Sequence, residues 1–195
     1  KPARRVVCAS PYLARWCAMT TIPRRSVTTR RLTLRPSCAS DIERAFEIRS
    51  DWQVARMLRA ASFPPDRPYM EQWFAGHEQE WLAGTAYRFA IDLDDRMIGL
   101  IDIDVFDDEG VLGYWLDRAA WGQGYAFEAG QSVVEFAFGQ LGLSRLRAGR
   151  AEDNPASGRV LLKLGFQPLD VVERFYTPRG QNILQHRYVL TAPDA

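Results

Sequence analysis

Histidine, cysteine and lysine are scarce in this chain of 195 residues. The two histidines (His77, His186) and three cysteines (Cys8, Cys17, Cys38) never fall at metal-ligand spacing, which leaves no basis for a zinc centre. No run of about 18 apolar residues is present, which excludes a membrane-spanning helix. Lys1 and Lys163 are the only lysines, so nearly all positive charge is arginine. Hydrophobic residues at 47% and charged residues at 25% match globular composition. Collagen-like, wholly disordered and disulfide-stapled chains are thereby excluded, and one domain with its own core is expected.

Acid is missing from residues 1–40, which carry nine basic side chains. The remaining 16 basic groups face all 24 acids, so the body has a net charge of −8. That balance disfavours nucleic acid and favours cationic partners. Pro2, Pro11 and Pro23 interrupt the start. We expect an irregular extension over 1–27 and a single domain over 28–191. The extension has the arginine-rich composition of a transit peptide but no apolar secretory run, and a segment without function is the plainer reading. Cys38, the one cysteine of the body, fits a reduced, cytoplasmic setting.

Residues 31–35 alternate as a first strand. Ser40 or Asp41 then caps a helix to about Arg59, and a second helix spans Tyr69 to about Leu82. Three strands follow at 87–93, 97–105 and 111–116, separated by acidic turns. A helix through Phe138, a strand at 145–150, a short helix at 154–164 and strands at 166–175 and 183–190 complete the body. This is a mixed α+β order of about seven strands, not a regular βαβ alternation.

Two segments carry the chemistry. In Trp121-Gly122-Gln123-Gly124-Tyr125-Ala126, two glycines between a strand and a helix let backbone approach a ligand. The helix N-terminus adds unpaired N–H groups, and together they suit a pyrophosphate. Phe127 breaks a dinucleotide fingerprint, and the Gly-Lys-Ser/Thr of a P-loop is absent. Taken alone, the turn is an ordinary helix start. Likewise Asn154-Pro155-Ala156-Ser157 reads alone as a cap, a Pro at the first helical position and a polar first turn.

Tyr114-Trp115-Leu116, the glycine turn through Ala129, Asn154-Pro155-Ala156-Ser157 and Lys163-Leu164-Gly165-Phe166 come in this order and spacing. Together they resemble the GNAT superfamily of acetyl-CoA-dependent N-acetyltransferases, most of all the branch with ribosomal-protein N-terminal (alanine/serine) acetyltransferases. The resemblance spans about 28–190. It implies one mixed, mostly antiparallel sheet with helices on both faces, splayed between the fourth and fifth strands. It also implies that the N–H groups of Gly122, Gln123, Gly124, Tyr125 and Ala126 bind the CoA pyrophosphate. Trp115 and Leu116 would run beside the pantetheine as a strand pairs with an added strand. Asn154 would contact the pantetheine or a water, and Ser157 would protonate the departing thiolate. Trp121 departs from the family's first signature position, which the amide cradle does not require.

The implied reaction is direct attack of an amine on the acetyl thioester in a ternary complex, needing orientation, proton removal and oxyanion stabilisation. Related chains often carry Glu where Val111 stands, so the base is open. Asp102 and Asp104 share one face of their strand and are the candidates, against a plainer reading as solvated or merely amine-attracting groups. Eight acids in residues 92–109 would concentrate cations. Phe63 and Tyr69, beside prolines, are candidate acceptor contacts. Trp73 and Phe74 read as core, and His77 as a base or, on the plainer reading, a surface residue. The expected acceptor is a protein N-terminal α-amine or a small-molecule amine, with no metal, nucleic acid or membrane involved, in a monomer or homodimer. The alternative is an acyl-CoA-binding sensor without turnover.

Overall fold

The computed structural model describes residues 22–193. Residues 1–21, most of the expected extension, lie outside the described residues, with Cys8 and Cys17. The elements are β1 (Val27–Thr28), β2 (Thr33–Pro36), α1 (Ile42–Arg49), α2 (Trp52–Ala55), α3 (Arg67–Ala83), β3 (Ala86–Leu93), β4 (Arg96–Phe106) and β5 (Glu109–Leu116). They continue with α4 (Tyr125–Gly139), β6 (Arg145–Ala151), α5 (Pro155–Lys163), β7 (Gln167–Tyr176) and β8 (Gln181–Thr191).

Capping sets the helix bounds. The single first helix expected to Arg59 is instead two. Ser50 turns its hydroxyl back to the Phe46 carbonyl at 2.8 Å, and Asp51 accepts the Gln53 N–H at 2.8 Å, opening α2. Short polar side chains that bond nearby backbone compete with helix continuation. Asp66 accepts the Tyr69 N–H at 3.0 Å, which starts α3 two residues before the expected Tyr69. Gly84 ends α3 in the left-handed conformation, φ 70°.

The strands form one eight-stranded sheet in the order β1-β2-β3-β4-β5-β6-β8-β7, one strand more than expected because Val27–Thr28 pairs with β2. Every pairing is antiparallel except β5 with β6. The parallel pairing covers only Glu109–Val111 against Arg145–Arg147, and among the described residues the rest of β5 then has no strand beside it on that edge. This is the expected splay between the fourth and fifth long strands.

Strand alternation divides the core. Ile101 and Ile103 of β4 pack in a cluster with Val133 and Phe136 of α4 and Leu161 of α5. Leu100 points the other way, to Ala45, Met70 and Phe74 of α1 and α3. Asp102 and Asp104 follow Leu100 in the alternation, so they stand on the α1–α3 face. No helix among the described residues is long and apolar enough to cross a membrane.

Candidate active site

The splay opens a cleft of about 580 Å³, within the usual range for small-molecule sites. Trp115, Leu116, Gly122, Gly124, Tyr125, Ala126, Asn154 and Ser157 line it together. Three segments, the last about 30 residues beyond the others, therefore meet at one place. Val54, Met57 and Leu58 close the cleft from the α1–α3 side. Gln123, Asp102 and Asp104 do not line it.

One wall is backbone. The Asp117 N–H bonds the Ile98 carbonyl at 2.7 Å, which fixes the phase of the β4–β5 ladder. Trp115 and Gly113 then face β4, and the amides of Tyr114 and Leu116 face the open edge. The Leu116 carbonyl accepts the Trp121 indole N–H at 3.0 Å. That indole ties the glycine turn to the end of β5, a task for Trp121 that its departure from the family signature did not suggest. The N–H groups of Tyr114 and Leu116 remain directed at the cleft.

The glycine turn forms the far end. Gly122 and Gly124 have φ of 75° and 82°, a region side chains rarely adopt. A Cβ on Gly122 would meet nothing within 4 Å, so its surroundings are open. Gly124 is the N-cap of α4 and has no side chain to occupy the first N–H groups of that helix. Open space, free amides and a helix N-terminus fit a pyrophosphate-bearing co-substrate.

Hydroxyls line the third wall. Asn154 Oδ1 accepts the Ser157 N–H at 3.2 Å and thereby caps α5. Ser157 Oγ lies 2.7 Å from the Tyr114 hydroxyl. Burial pushes the Tyr114 phenol up to about 12, so it stays protonated and available as a donor. Tyr114 stands in the quoted motif, but its pairing with Ser157, 43 residues away, has no sequence signal.

The candidate bases are placed differently. Arg88 of β3, 8% exposed, donates to Asp102 at 2.7 Å, to Asp104 at 2.9 Å and to Glu80 at 2.7 Å. Asp102 Oδ1 rests against Gly113, at 2.6 Å from where a Cβ would stand there. Gly113 itself lines the cleft, so Asp102 sits one backbone thickness behind it. Burial pushes the Asp102 carboxyl up, Arg88 pulls it down and Asp104 pushes it up again; the balance lies above the ordinary carboxylate range.

His77, expected on the surface, is buried at 2% exposure, with Nδ1 at 2.7 Å from Ser37 Oγ. Its position on the inner stripe of α3 beside Met70, Phe74 and Trp81 puts it there. Burial and then Arg88 push it down to about 4, so it is neutral. Phe74 is core, while Trp73 is half-buried between the Arg49 and Arg88 guanidinium groups, 5.7 and 5.2 Å from its ring. Phe63 is exposed and lies against Trp52 with the rings tilted by 57° and their centroids 4.9 Å apart, and Tyr69 is exposed.

Known proteins resemble this chain in sequence and in fold. Residues 31–167 match the family model described as an acetyltransferase (GNAT) domain. YoaA of Bacillus subtilis (strain 168), an uncharacterized N-acetyltransferase, is 31% identical over 172 residues, covering 85% of this chain and 96% of that protein. The ribosomal-protein-serine acetyltransferase of Escherichia coli (strain K12) is 36% identical over 87 residues, 43% of this chain and 48% of that one. The solved structure of RimL, a ribosomal L7/L12 α-N-protein acetyltransferase in complex with coenzyme A, superposes with a TM-score of 0.77 at 17% identity. It covers 86% of this chain and 98% of that one.

Proposed function

This chain belongs to the GNAT acetyltransferase family, and we propose that it moves the acetyl group of acetyl-CoA to a primary amine by direct attack in a ternary complex. The observation that carries the reading is the free edge of β5, ending beside the glycine turn and the Tyr114–Ser157 pair. The amides of Gly122, Gly124, Tyr125 and Ala126, which line the cleft, hold the pyrophosphate. The pantetheine lies along Tyr114–Leu116 as an added strand. The Leu116 N–H then meets the thioester oxygen, where negative charge grows as the amine adds. Ser157 donates to the leaving sulfur, and Tyr114, donating to Ser157, strengthens that bond. Asn154 acts by capping, which sets the Ser157 position.

The amine approaches from the α1–α3 side, past Met57 and Leu58. Asp102 takes its proton through water beside Gly113, held by Arg88 on the same face. A carboxyl raised toward neutrality suits a base better than an ordinary one. On this reading kcat/KM rises with pH, and Asp102→Asn removes the limb that belongs to the carboxylate. The coenzyme A complex of RimL supports acetyl-CoA as co-substrate. The ribosomal-protein enzymes favour a peptide α-amine as acceptor, with a small-molecule amine as the second class.

Calorimetric titration with acetyl-CoA, followed by free-thiol release against peptides and small amines, tests this. Binding with release for one class identifies the acceptor. Tight binding without release for any amine overturns turnover in favour of an acyl-CoA-binding role. No binding overturns the assignment of the cleft.

A further inference from the structure

The turn between β1 and β2 has no part in the chemistry above, yet it reaches the glycine turn. Glu128 does not line the cleft, but it brings a carboxylate into the first turn of α4, the helix whose N-terminus is to hold the pyrophosphate. An unpaired carboxylate there would not be opposed by the helix dipole but would repel the anion the N-terminus attracts. Its charge is fully engaged. Thr29 Oγ1 donates to Oε1 at 2.6 Å, the Arg31 N–H donates to Oε1 at 2.7 Å, and Arg31 Nε donates to Oε2 at 2.7 Å.

Arg31 also grips the turn itself. Nη1 donates to the Gln123 carbonyl at 3.1 Å. Its guanidinium carbon stands 4.5 Å over the Tyr125 ring, and Nη2 lies 3.5 Å from where a Cβ on Gly124 would be. In a trans peptide the carbonyl of one residue and the N–H of the next point opposite ways. Holding the Gln123 carbonyl against Arg31, which does not line the cleft, turns the Gly124 N–H away from Arg31, and Gly124 does line the cleft.

We infer that Arg31 is a positioning residue for the acyl donor's pyrophosphate: it cancels the charge of Glu128 and aims the Gly124 amide, so that the enzyme prefers phosphate-bearing thioesters to bare pantetheine thioesters. This rests on the acetyl-CoA reading. Both effects act only on a donor that carries a pyrophosphate, which separates them from a general structural role.

The test compares kcat/KM for acetyl-CoA with that for S-acetyl-pantetheine, which lacks the phosphates. In Arg31→Ala the acetyl-CoA/acetyl-pantetheine ratio falls about tenfold, the size of one charge-assisted contact. Adding Glu128→Gln to Arg31→Ala recovers part of the ratio, because the carboxylate that lost its cation is gone, while Thr29 Oγ1 and the backbone N–H of residue 31 still bond the side chain at 128. Should Arg31→Ala fold poorly, Arg31→Lys, which retains charge but cannot bridge Glu128 and Gln123 together, shows a smaller fall in the same ratio. Equal losses for both donors, an unchanged ratio, or no recovery in the double variant overturns the inference. Failure of the acetyl-CoA reading is distinguishable, because there the wild-type chain itself shows no preference for acetyl-CoA.

Discussion

The proposed donor side of the cleft and the buried layer behind it on the α1–α3 face, called the acceptor side because the amine is proposed to approach from there, are made of different material. The donor side is backbone: the free edge of β5, the glycine turn and the start of α4, with one hydroxyl pair added. The acceptor side is side chains in ion pairs and stacks: Arg88 among three carboxylates, His77 on Ser37, Trp73 between two guanidinium groups. Backbone geometry depends on a few glycines and caps and tolerates substitution around them. A buried charge cluster depends on every member, since each one compensates the desolvation of the others. The donor side is therefore robust in stability and sensitive in affinity, and the acceptor side is the reverse.

The largest effect expected from this contrast is on Arg88. Arg88→Met leaves Glu80, Asp102 and Asp104 together without their cation and destabilises the fold by about 3–5 kcal/mol in urea unfolding at pH 7. A loss under 1 kcal/mol at pH 7 would break the comparison.

Next comes the pH dependence of His77. Its folded pKa lies below the unfolded value, so the unfolded chain binds more protons between them. Stability from this group is therefore full above about pH 6.5 and declines as pH falls toward 4, by about 3 kcal/mol over the window. His77→Gln should flatten that part of the unfolding profile; an unchanged slope would mean that the ring is not held neutral.

On the donor side, Gly124→Val places a β-branched residue at φ 82°. We expect the acetyl-CoA dissociation constant to rise about thirtyfold, roughly 2 kcal/mol, as the strained turn relaxes out of shape. Calorimetry checks the affinity, and a thermal scan checks that the fold survives. Unchanged affinity would remove the turn from the site.

The smallest effect sharpens the hydroxyl pair. Ser157→Ala should lower kcat about tenfold with less change in acetyl-CoA affinity, and Tyr114→Phe should lower it less, because it acts through Ser157. Equal effects on turnover and affinity would make Ser157 a capping and packing residue only. Measured together, the five variants show whether stability and affinity really divide between these two regions.

Legibility followed the same division. The glycine turn, the Asn154 cap and the strand order were readable because each rests on local rules, a positive φ, an N-cap or a two-residue period. The break between α1 and α2 was also local, in Ser50 and Asp51, but a run of helix-compatible residues beyond it masked the signal. Asp102 and Asp104 were legible as neighbours on one face, yet nothing near them in the chain announced Arg88 from another strand. The burial of His77 followed from its place among Met70, Phe74 and Trp81, a stripe that one lone histidine does not reveal.

By itself, the sequence determined the element order, the open glycine turn and the caps, because these depend on residues within a few positions of one another. The tertiary structure alone decided which side chains share a charge or a proton: Arg31 with Glu128, 97 residues apart, Tyr114 with Ser157, and Arg88 with two carboxylates of the next strand. The physical reason is that such pairs are selected by distance and dielectric after the sheet has formed, and neither quantity is written in the spacing of residues along the chain.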